Sequence, residues 1–191
     1  MAILTATEVT IYSNISASVA TIISKNLIPI VQSRLVMMIN NYFTTDLDLT
    51  DTMTFDATAR TVVAGANSFD EKNFLANDDI FIYNSYRNDG YYTIESVSDK
   101  TLVLASGSSV VNELSARSII ISVVKWPLEV KVVAAKMCAY DYDIRDKVSG
   151  NIKSRSLGPL SETYTDGEKD EFGYPKKITE TLTQYRIGRM Y

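Results

Sequence analysis

The carboxylates are the residues with which this chain could carry out acid–base or metal chemistry, because it contains no histidine and only one cysteine. The absence of histidine excludes Ser-His-Asp and Cys-His triads and the usual general base near neutral pH. It also excludes most zinc sites, which draw on histidine and cysteine together. We therefore expect the chain not to be an enzyme and to carry no metal or cofactor.

The acidic residues do not form a convincing catalytic or metal-binding pattern. Asp141 and Asp143 stand two apart on a predicted helix, so they point to different faces and are interpreted as solvated surface charge. The run 166–171 resembles a calcium loop, but an EF-hand loop needs glycine at its sixth position, where this chain has Glu171. A third acidic group is interpreted as a polar linker: Asp46, Asp48 and Asp51.

Cysteine and glycine offer no other chemistry. Cys138 lies on a predicted helix and is interpreted as a small buried apolar residue. None of the 8 glycines forms a GxGxxG or GxxxxGK[ST] pattern, so no phosphate-binding loop is predicted. An enzymatic function would need a histidine-free site of paired Asp or Glu residues, and no such pair stands out.

Tyrosine is the residue type that suggests binding, with 12 copies in the chain. Four of them cluster around Asp89-Gly90: Tyr83, Tyr86, Tyr91 and Tyr92. One interpretation is an aromatic surface, formed by Tyr86, Tyr91 and Tyr92, that contacts carbohydrate or a protein partner. The other is that about half of the tyrosines fill a small core while the rest lie on its surface.

Charge is distributed unevenly along the chain, whose formal net charge is −4. Residues 46–100 contain 11 acids and 4 bases, and residues 176–191 contain 4 bases and 1 acid. A protein that grips DNA over a large surface needs a basic face, and this chain has no such excess. The basic tail could contact DNA, but four charges give only a weak electrostatic footprint, so the favoured interpretation is a solvated or partner-facing helix: Lys176, Lys177, Arg186 and Arg189.

Apolar residues recur at helical spacing in three regions. The first predicts a helix over residues 16–25, with Ser16 or Ser13 as its cap, then a break and a longer helix with Pro29 in its first turn, ending near residue 43. The second predicts a helix from Pro127 to before Gly150, with one apolar face: Leu128, Val132, Ala135, Ala139 and Tyr142. The third predicts a short helix over 175–187, with Ile178, Leu182 and Tyr185 on one face.

The middle of the chain has the composition of short strands. Segments 53–63, 80–83, 91–97, 101–105 and 118–124 are rich in β-branched and aromatic residues, and Asn88-Asp89-Gly90 is a hairpin turn signal. They predict an antiparallel meander, most simply a small barrel, over residues 50–125. The polar segment 150–174 has no convincing period, and within it 156–165 is expected to be extended.

Together these elements predict an α+β fold with two domains. Residues 1–49 and 126–191 would form a small helical bundle with an extended C-terminal arm, and residues 50–125 would be an inserted antiparallel β-barrel or meander. We expect no signal peptide and no membrane association, because no apolar run approaches the roughly 20 residues needed to cross a bilayer. A single cysteine permits no internal disulfide, which fits a reducing compartment.

Several segments resemble small connector proteins of tailed bacteriophages, known as adaptors or head-completion proteins. The resemblance rests on segments 4–9, 126–145, 157–164 and 174–186, which are similar to the start, the long core helix, the extended arm and the terminal helix of that family. Segments 77–82, 88–94 and 101–104 are similar to small β-modules of phage head-tail and tail proteins.

The resemblance implies a structural virion protein in the neck, assembled in the host cytoplasm. Such adaptors form a ring, typically a dodecamer, that docks on the portal, extends the DNA channel and supports the next neck, stopper or tail protein, while double-stranded DNA passes without specific binding. The alternative is a tail or surface binding module whose β domain recognises carbohydrate or a protein partner.

The resemblance also implies two sets of contact residues. The terminal helix would dock on the portal through Ile178, Leu182, Tyr185, Arg186 and Arg189. The arm would reach a neighbouring copy through Leu157, Pro159, Leu160 and Tyr164.

Overall fold

The computed structural model describes residues 2–142, 154–157, 160–163, 169–170 and 172–188. The fold is α+β, and the chain divides into two compact units. Residues 42–125 form a β unit, and residues 2–41 with 126–191 form a helical unit.

Three helices open the helical unit: α1 (Ala6–Ser13), α2 (Ala17–Asn26) and α3 (Ile28–Ile39). The predicted break before Pro29 is confirmed, because Leu27 separates α2 from α3 and the proline lies in the first turn of α3. Helix α3 ends earlier than predicted, since Asn40 adopts a left-handed conformation with φ 52°. Ser16 stands at the N-cap of α2, but its side chain makes no capping hydrogen bond.

Helix α1 was not predicted as a separate element, although its start carries a local signal. Thr5 and Glu8 form a capping box, in which the Glu8 N–H donates to Thr5 Oγ1 at 3.2 Å and the Thr5 N–H donates to Glu8 Oε2 at 2.8 Å. Lys131 Nζ also donates to Glu8 Oε1 at 2.9 Å, which links α1 to the fourth helix.

Helix α4 (Leu128–Tyr140) begins directly after Pro127, which is its N-cap rather than its first residue. The predicted apolar face is wrong: Leu128 is 62% exposed and Tyr142 is 37% exposed. Ala135 is the one residue of the predicted face that is buried, and the other buried side chains lie elsewhere on the helix: Val130, Val133, Ala134, Met137 and Cys138. Apolar residues surround most of this helix, so its sequence pattern does not specify which side packs inward.

The C-terminal region is less regular than one helix. Helix α5 (Lys176–Thr179) is followed by a 3₁₀-helix (Glu180–Tyr185), and Leu182 is 2% exposed. Earlier in the chain, β7 (Ser154–Leu157) and β8 (Leu160–Thr163) pair antiparallel with Leu157 opposite Leu160, so part of the predicted extended segment is confirmed. Gly150, Asp143 and most of the run 166–171 lie outside the described residues.

The β unit is a closed antiparallel barrel of six strands in the order β1-β2-β5-β4-β3-β6. The strands are β1 (Thr44–Asp56), β2 (Thr61–Ala64), β3 (Asp79–Tyr83), β4 (Gly90–Ser98), β5 (Thr101–Leu104) and β6 (Glu113–Val124). The predicted barrel is confirmed, but the meander is wrong, because β2 pairs with β5 and β6 closes the barrel between β1 and β3. The predicted segment 53–63 is the end of β1, a turn and β2.

The first strand begins well before residue 50, so the interpretation of Asp46, Asp48 and Asp51 as a linker is wrong. All three lie in β1, where alternate residues face the barrel core. Leu49, Met53 and Phe55 are buried in that core, and Asp46 and Asp48 are exposed on the opposite face. Asp51 instead takes an inward-facing position and is 9% exposed, so it is the one of the three acids that interrupts the apolar alternation of the strand.

Within the described part of the chain, no single helix is long and apolar enough to span a bilayer. Only α2 and α3 taken together reach that length and hydrophobicity, and they are bent by 59° at their junction.

Candidate functional site

A buried ionic network joins three distant parts of the helical unit. Arg34 Nη1 on α3 donates to Asp141 Oδ2 and to the Tyr174 hydroxyl, both at 2.8 Å. The Tyr174 hydroxyl donates to the same carboxylate oxygen at 2.6 Å. The interpretation of Asp141 as solvated is wrong, since the residue is only 6% exposed. Asp141 is the C-cap residue of α4, and its backbone N–H donates to the carbonyls of Met137 and Cys138.

The electrostatics of this network follow from burial and proximity. Burial alone would lower the pKa of Arg34, but hydrogen bonds and charge from Tyr174 and Asp141 outweigh it and raise that pKa. Burial, together with the hydrogen bond to Asp141, raises the pKa of Tyr174 to about 12. Tyr174 is therefore neutral and Arg34 charged across the physiological range, and Asp141 accepts from both.

Beyond Tyr174, residues 175–188 (the terminal segment) are fastened to α3 and α4 by further hydrogen bonds. Gln184 Nε2 and the Tyr185 hydroxyl each donate to Glu129 Oε2 at 2.7 Å. The Ile187 N–H donates to the Ile39 carbonyl at 2.9 Å, which extends the end of α3. The segment is therefore an integral part of the helical unit.

The residues predicted to dock on a portal differ in how exposed their side chains are. Leu182, which was predicted to dock on the portal, is buried in the helical unit, so its side chain is not available to a partner. Tyr185 is partly buried with its hydroxyl on Glu129, and Ile178 is partly buried. Arg186 is exposed, and Arg189 lies outside the described residues. Among the predicted docking residues that the structure describes, Arg186 is therefore the one whose side chain is exposed, and it is available to a partner.

A groove of about 560 Å³ runs beside Arg186. Its lining combines apolar and charged side chains: Met38, Ile39, Asp170, Lys176, Glu180 and Leu182. Asp170 Oδ1 accepts from the N–H groups of Phe172 and Tyr174 at 2.9 Å each, so that oxygen shapes a turn. The sequence predicted the cations Lys176 and Arg186, but it did not predict the groove between them.

In the barrel, the three tyrosines predicted as a contact surface take three different positions. Tyr92 is 8% exposed in the barrel core, so its prediction as a surface contact is wrong. Tyr91, one residue earlier on β4, faces outward, where its ring lies 4.7 Å from that of Phe81 and its hydroxyl donates to the Tyr42 carbonyl at 3.3 Å. Tyr86 is 63% exposed in the loop before β4. The alternation of strand residues explains why neighbouring tyrosines differ.

The outer aromatic group also contains residues that the sequence did not bring together. The ring of Tyr42 stacks on Phe81 with their centroids 4.5 Å apart, and Tyr83 lies 5.9 Å from Phe81. Burial, followed by the effect of Tyr42, raises the pKa of Tyr91 well above its ordinary value. Phe81 and Tyr91 are directly paired across β3 and β4. Aligning the two predicted strands with alternate residues facing outward would have placed these two rings together.

The predicted turn Asn88-Asp89-Gly90 falls at the end of the six-residue connection between β3 and β4, with Gly90 as the first residue of β4, and Asn88 is 1% exposed. Asn88 Nδ2 donates to the Val111 carbonyl at 3.0 Å and to Glu113 Oε2 at 2.8 Å. The Val111 N–H donates back to Asn88 Oδ1 at 2.8 Å. Asn88 therefore crosslinks this loop to the loop before β6.

The described residues contain no group of three or more His, Cys, Asp or Glu side chains placed to hold a metal ion. Cys138 is buried, as its sequence interpretation holds, and burial followed by the charge of Asp141 raises the pKa of its thiol to about 12. The thiol is therefore protonated and unreactive at neutral pH.

No protein-family model matches the chain, and no curated protein sequence matches it.

Asp51 gives the barrel a pH-dependent support. Burial would raise the pKa of this carboxylate, but its backbone partners outweigh burial and lower the pKa below the ordinary 3.8: the N–H groups of Asn67, Ala66 and Thr52, at 2.6, 2.7 and 2.7 Å. A depressed pKa means that the stabilisation is complete above the unfolded value and is lost as pH falls through the folded value.

We therefore expect Asp51→Asn to lower the free energy of unfolding by about 2 kcal/mol at pH 7, because hydrogen bonds to a charged group are lost. The difference from the wild type should shrink as pH falls below about 4. Urea unfolding by circular dichroism across this pH range measures both effects, and amide exchange at Ala66 and Asn67 localises them. Asp46→Asn, on the exposed face of the same strand, is the control and should have little effect.

Proposed function

We propose that this chain is a structural virion protein, a ring-forming head-to-tail adaptor that docks on the portal of a tailed bacteriophage. It would extend the DNA channel and provide a platform for neck, stopper or tail proteins. One observation carries the proposal: segments 4–9, 126–142 and 174–186, which resemble connector proteins, belong to one compact unit. The segment that resembles phage β-modules forms a separate barrel between them in the sequence.

The terminal segment supports a docking role, because its backbone is held while some side chains remain exposed. Arg186 is exposed, and Ile187, which is bonded to α3 through its N–H, exposes 53% of its surface. A basic side chain beside an exposed apolar one on a fixed backbone is suited to a protein partner with an acidic rim. In this proposal the helical unit forms the ring core and Arg186 contacts the portal.

The hairpin β7–β8 supports a contact with a neighbouring copy. Among the described strands, β7 and β8 pair with each other and with no strand of the barrel. An isolated two-stranded hairpin is marginally stable in water, so it gains order by packing on another surface. Leu157 and Leu160 are paired in this hairpin, whereas Pro159 and Tyr164, the other predicted arm contacts, lie outside the described residues.

The charge of the barrel is compatible with a channel through which DNA passes. Asp46, Asp48 and Asp56 are exposed on the outer face of β1. A like-charged surface repels the DNA backbone and so prevents it from adhering during passage.

Single-particle imaging of this protein mixed with the portal protein of the same virus tests the proposal. We expect a cyclic ring stacked coaxially on the portal, whose copy number can be counted directly. The adaptor function would be contradicted if the portals stayed bare and the protein stayed unassembled, even with the protein in large excess over the portal. The free protein's own oligomeric state is not decisive, because ring assembly can require contact with the portal.

A charge reversal tests the docking residue within that assembly. We expect Arg186→Glu to weaken portal binding about tenfold and to reduce its salt dependence, because a rim charge at an interface acts through electrostatic complementarity. Arg87→Glu, which changes another exposed arginine in the barrel, is the control and should bind as the wild type does. Point variants are preferable to a truncation, since Leu182 contributes to the core. Equal binding by both variants would show that the portal contacts another surface.

A further inference from the structure

A cleft of about 480 Å³ opens on the barrel between the start of β4 and the loop after β5. This volume is within the range of about 300–1,000 Å³ typical of small-molecule sites. Its wall includes one acid, two tyrosines and three serines: Asp89, Tyr91, Tyr92, Ser106, Ser108 and Ser109. The cleft lies wholly within the β unit and is separate from the terminal segment.

The two loops that border the cleft are held in place before any ligand arrives. The crosslink through Asn88 joins the loop that carries Asp89 to the loop that carries the serines. The N–H and hydroxyl of Ser85 both donate to Asp89 Oδ1 at 2.7 Å, which orients the carboxylate. A preorganised site binds with a smaller loss of conformational entropy.

Polar groups in the cleft remain available to a ligand. Within the described residues, Asp89 Oδ2 and the hydroxyls of Ser106, Ser108 and Ser109 make no hydrogen bond to the protein, and Asp89, Ser106 and Ser109 are exposed. Gly107 has φ +93°, and a Cβ at this position would have no atom within 4 Å. A ligand can therefore approach the backbone of this loop closely.

The chemistry of the wall narrows the class of ligand. It contains a carboxylate and no basic side chain, which disfavours phosphates and other anions. The hydroxyls both donate and accept, the carboxylate accepts, and the tyrosine ring offers an apolar face. A neutral ligand with many hydroxyls and apolar C–H faces satisfies all of these groups together.

We infer that this cleft binds a saccharide, with Asp89 accepting hydrogen bonds from sugar hydroxyls, the serines of the β5–β6 loop completing the polar contacts and Tyr91 packing on the ring. The site differs from the surface expected from Tyr86, Tyr91 and Tyr92, because Tyr86 is not part of its wall and Tyr92 reaches it from the barrel core, which leaves Tyr91 as the outward-facing tyrosine. It is independent of the adaptor function, so either proposal can fail without the other.

Titration of the ¹⁵N-labelled full-length protein tests the inference. The ligands titrated are the common hexoses, the N-acetylhexosamines and their disaccharides. Binding is measured by the chemical-shift changes of the Gly90 and Gly107 amides. We expect at least one probe to saturate with a dissociation constant of about 1 mM, typical of a small shallow site. Monosaccharides that bind as well as disaccharides would indicate a free sugar, and a clear gain with the disaccharide would indicate a surface polysaccharide. No saturating shift with any probe would overturn the inference.

Two variants separate the cleft from unspecific binding. Asp89→Asn should weaken the affinity about tenfold, because a charged acceptor is replaced by a neutral one. Asp99→Asn, an exposed acid in the turn between β4 and β5, should leave the affinity unchanged. Equal affinity in both variants, or shifts spread over both units, would overturn the assignment of the cleft.

Discussion

Replacing Asp141 with alanine should lower the free energy of unfolding of the helical unit by about 3 kcal/mol. Removing one partner of a buried ion pair typically costs about 3–5 kcal/mol, because the remaining groups stay desolvated. The Asp141 side chain is 5% exposed and that of Arg34 is 28% exposed, so Arg34 can partly regain water and the lower end applies. The Tyr174 hydroxyl loses its acceptor at the same time.

Urea unfolding followed by Trp126 fluorescence measures this effect, because the chain's one tryptophan belongs to the helical unit. Asp78→Ala would be a poor control, since Asp78 Oδ2 accepts from the Leu75 N–H. Asp99→Ala is better, because that side chain is exposed on the other unit. A change below about 1 kcal/mol in Asp141→Ala would show that the network is solvated, as exposed ion pairs are.

Leu182→Ala should destabilise the helical unit by about 2–4 kcal/mol, since truncating a buried leucine loses transfer free energy and leaves a cavity. Leu182 lies in the 3₁₀-helix, which contacts α3 and α4. The loss should also free the terminal segment, so limited proteolysis should cut near residues 180–188 faster than in the wild type.

Ile187→Ala is the matched control in the same segment. Its side chain is 53% exposed, so the change in unfolding free energy should stay within about 0.5 kcal/mol. Proteolysis at the wild-type rate in both variants would mean that the hydrogen bonds to Glu129 and Ile39 hold the segment without the leucine.

The barrel could be predicted from the sequence because its strands are rich in β-branched and aromatic residues, and because turn signals separate them. The start of β1 was missed because its outward positions are acidic: Asp46 and Asp48 suggest a linker, although Leu47, Leu49, Met53 and Phe55 alternate as a half-buried strand does. The strand order was beyond prediction, since the pairing of β2 with β5 depends on long-range packing.

The ionic network shows why burial is hard to infer for a charged residue. Nothing near Asp141 in the sequence indicates a partner, because Arg34 and Tyr174 are 107 and 33 residues away. The helix that precedes Asp141 is apolar on most sides, so its pattern did not reveal which face packs inward. The capping box of α1, in contrast, is a local signal and could have been used.

The entry and exit of the barrel are neighbours. Thr44 pairs with Val124, and the Lys125 N–H donates to the Phe43 carbonyl at 3.0 Å. The 84 residues of the β unit therefore begin and end at adjacent points. For a loop whose ends are held together, the entropic cost of closure grows only slowly with the number of residues. Such an insert can be exchanged in evolution, or replaced in the laboratory by a few residues, with its own folding largely self-contained.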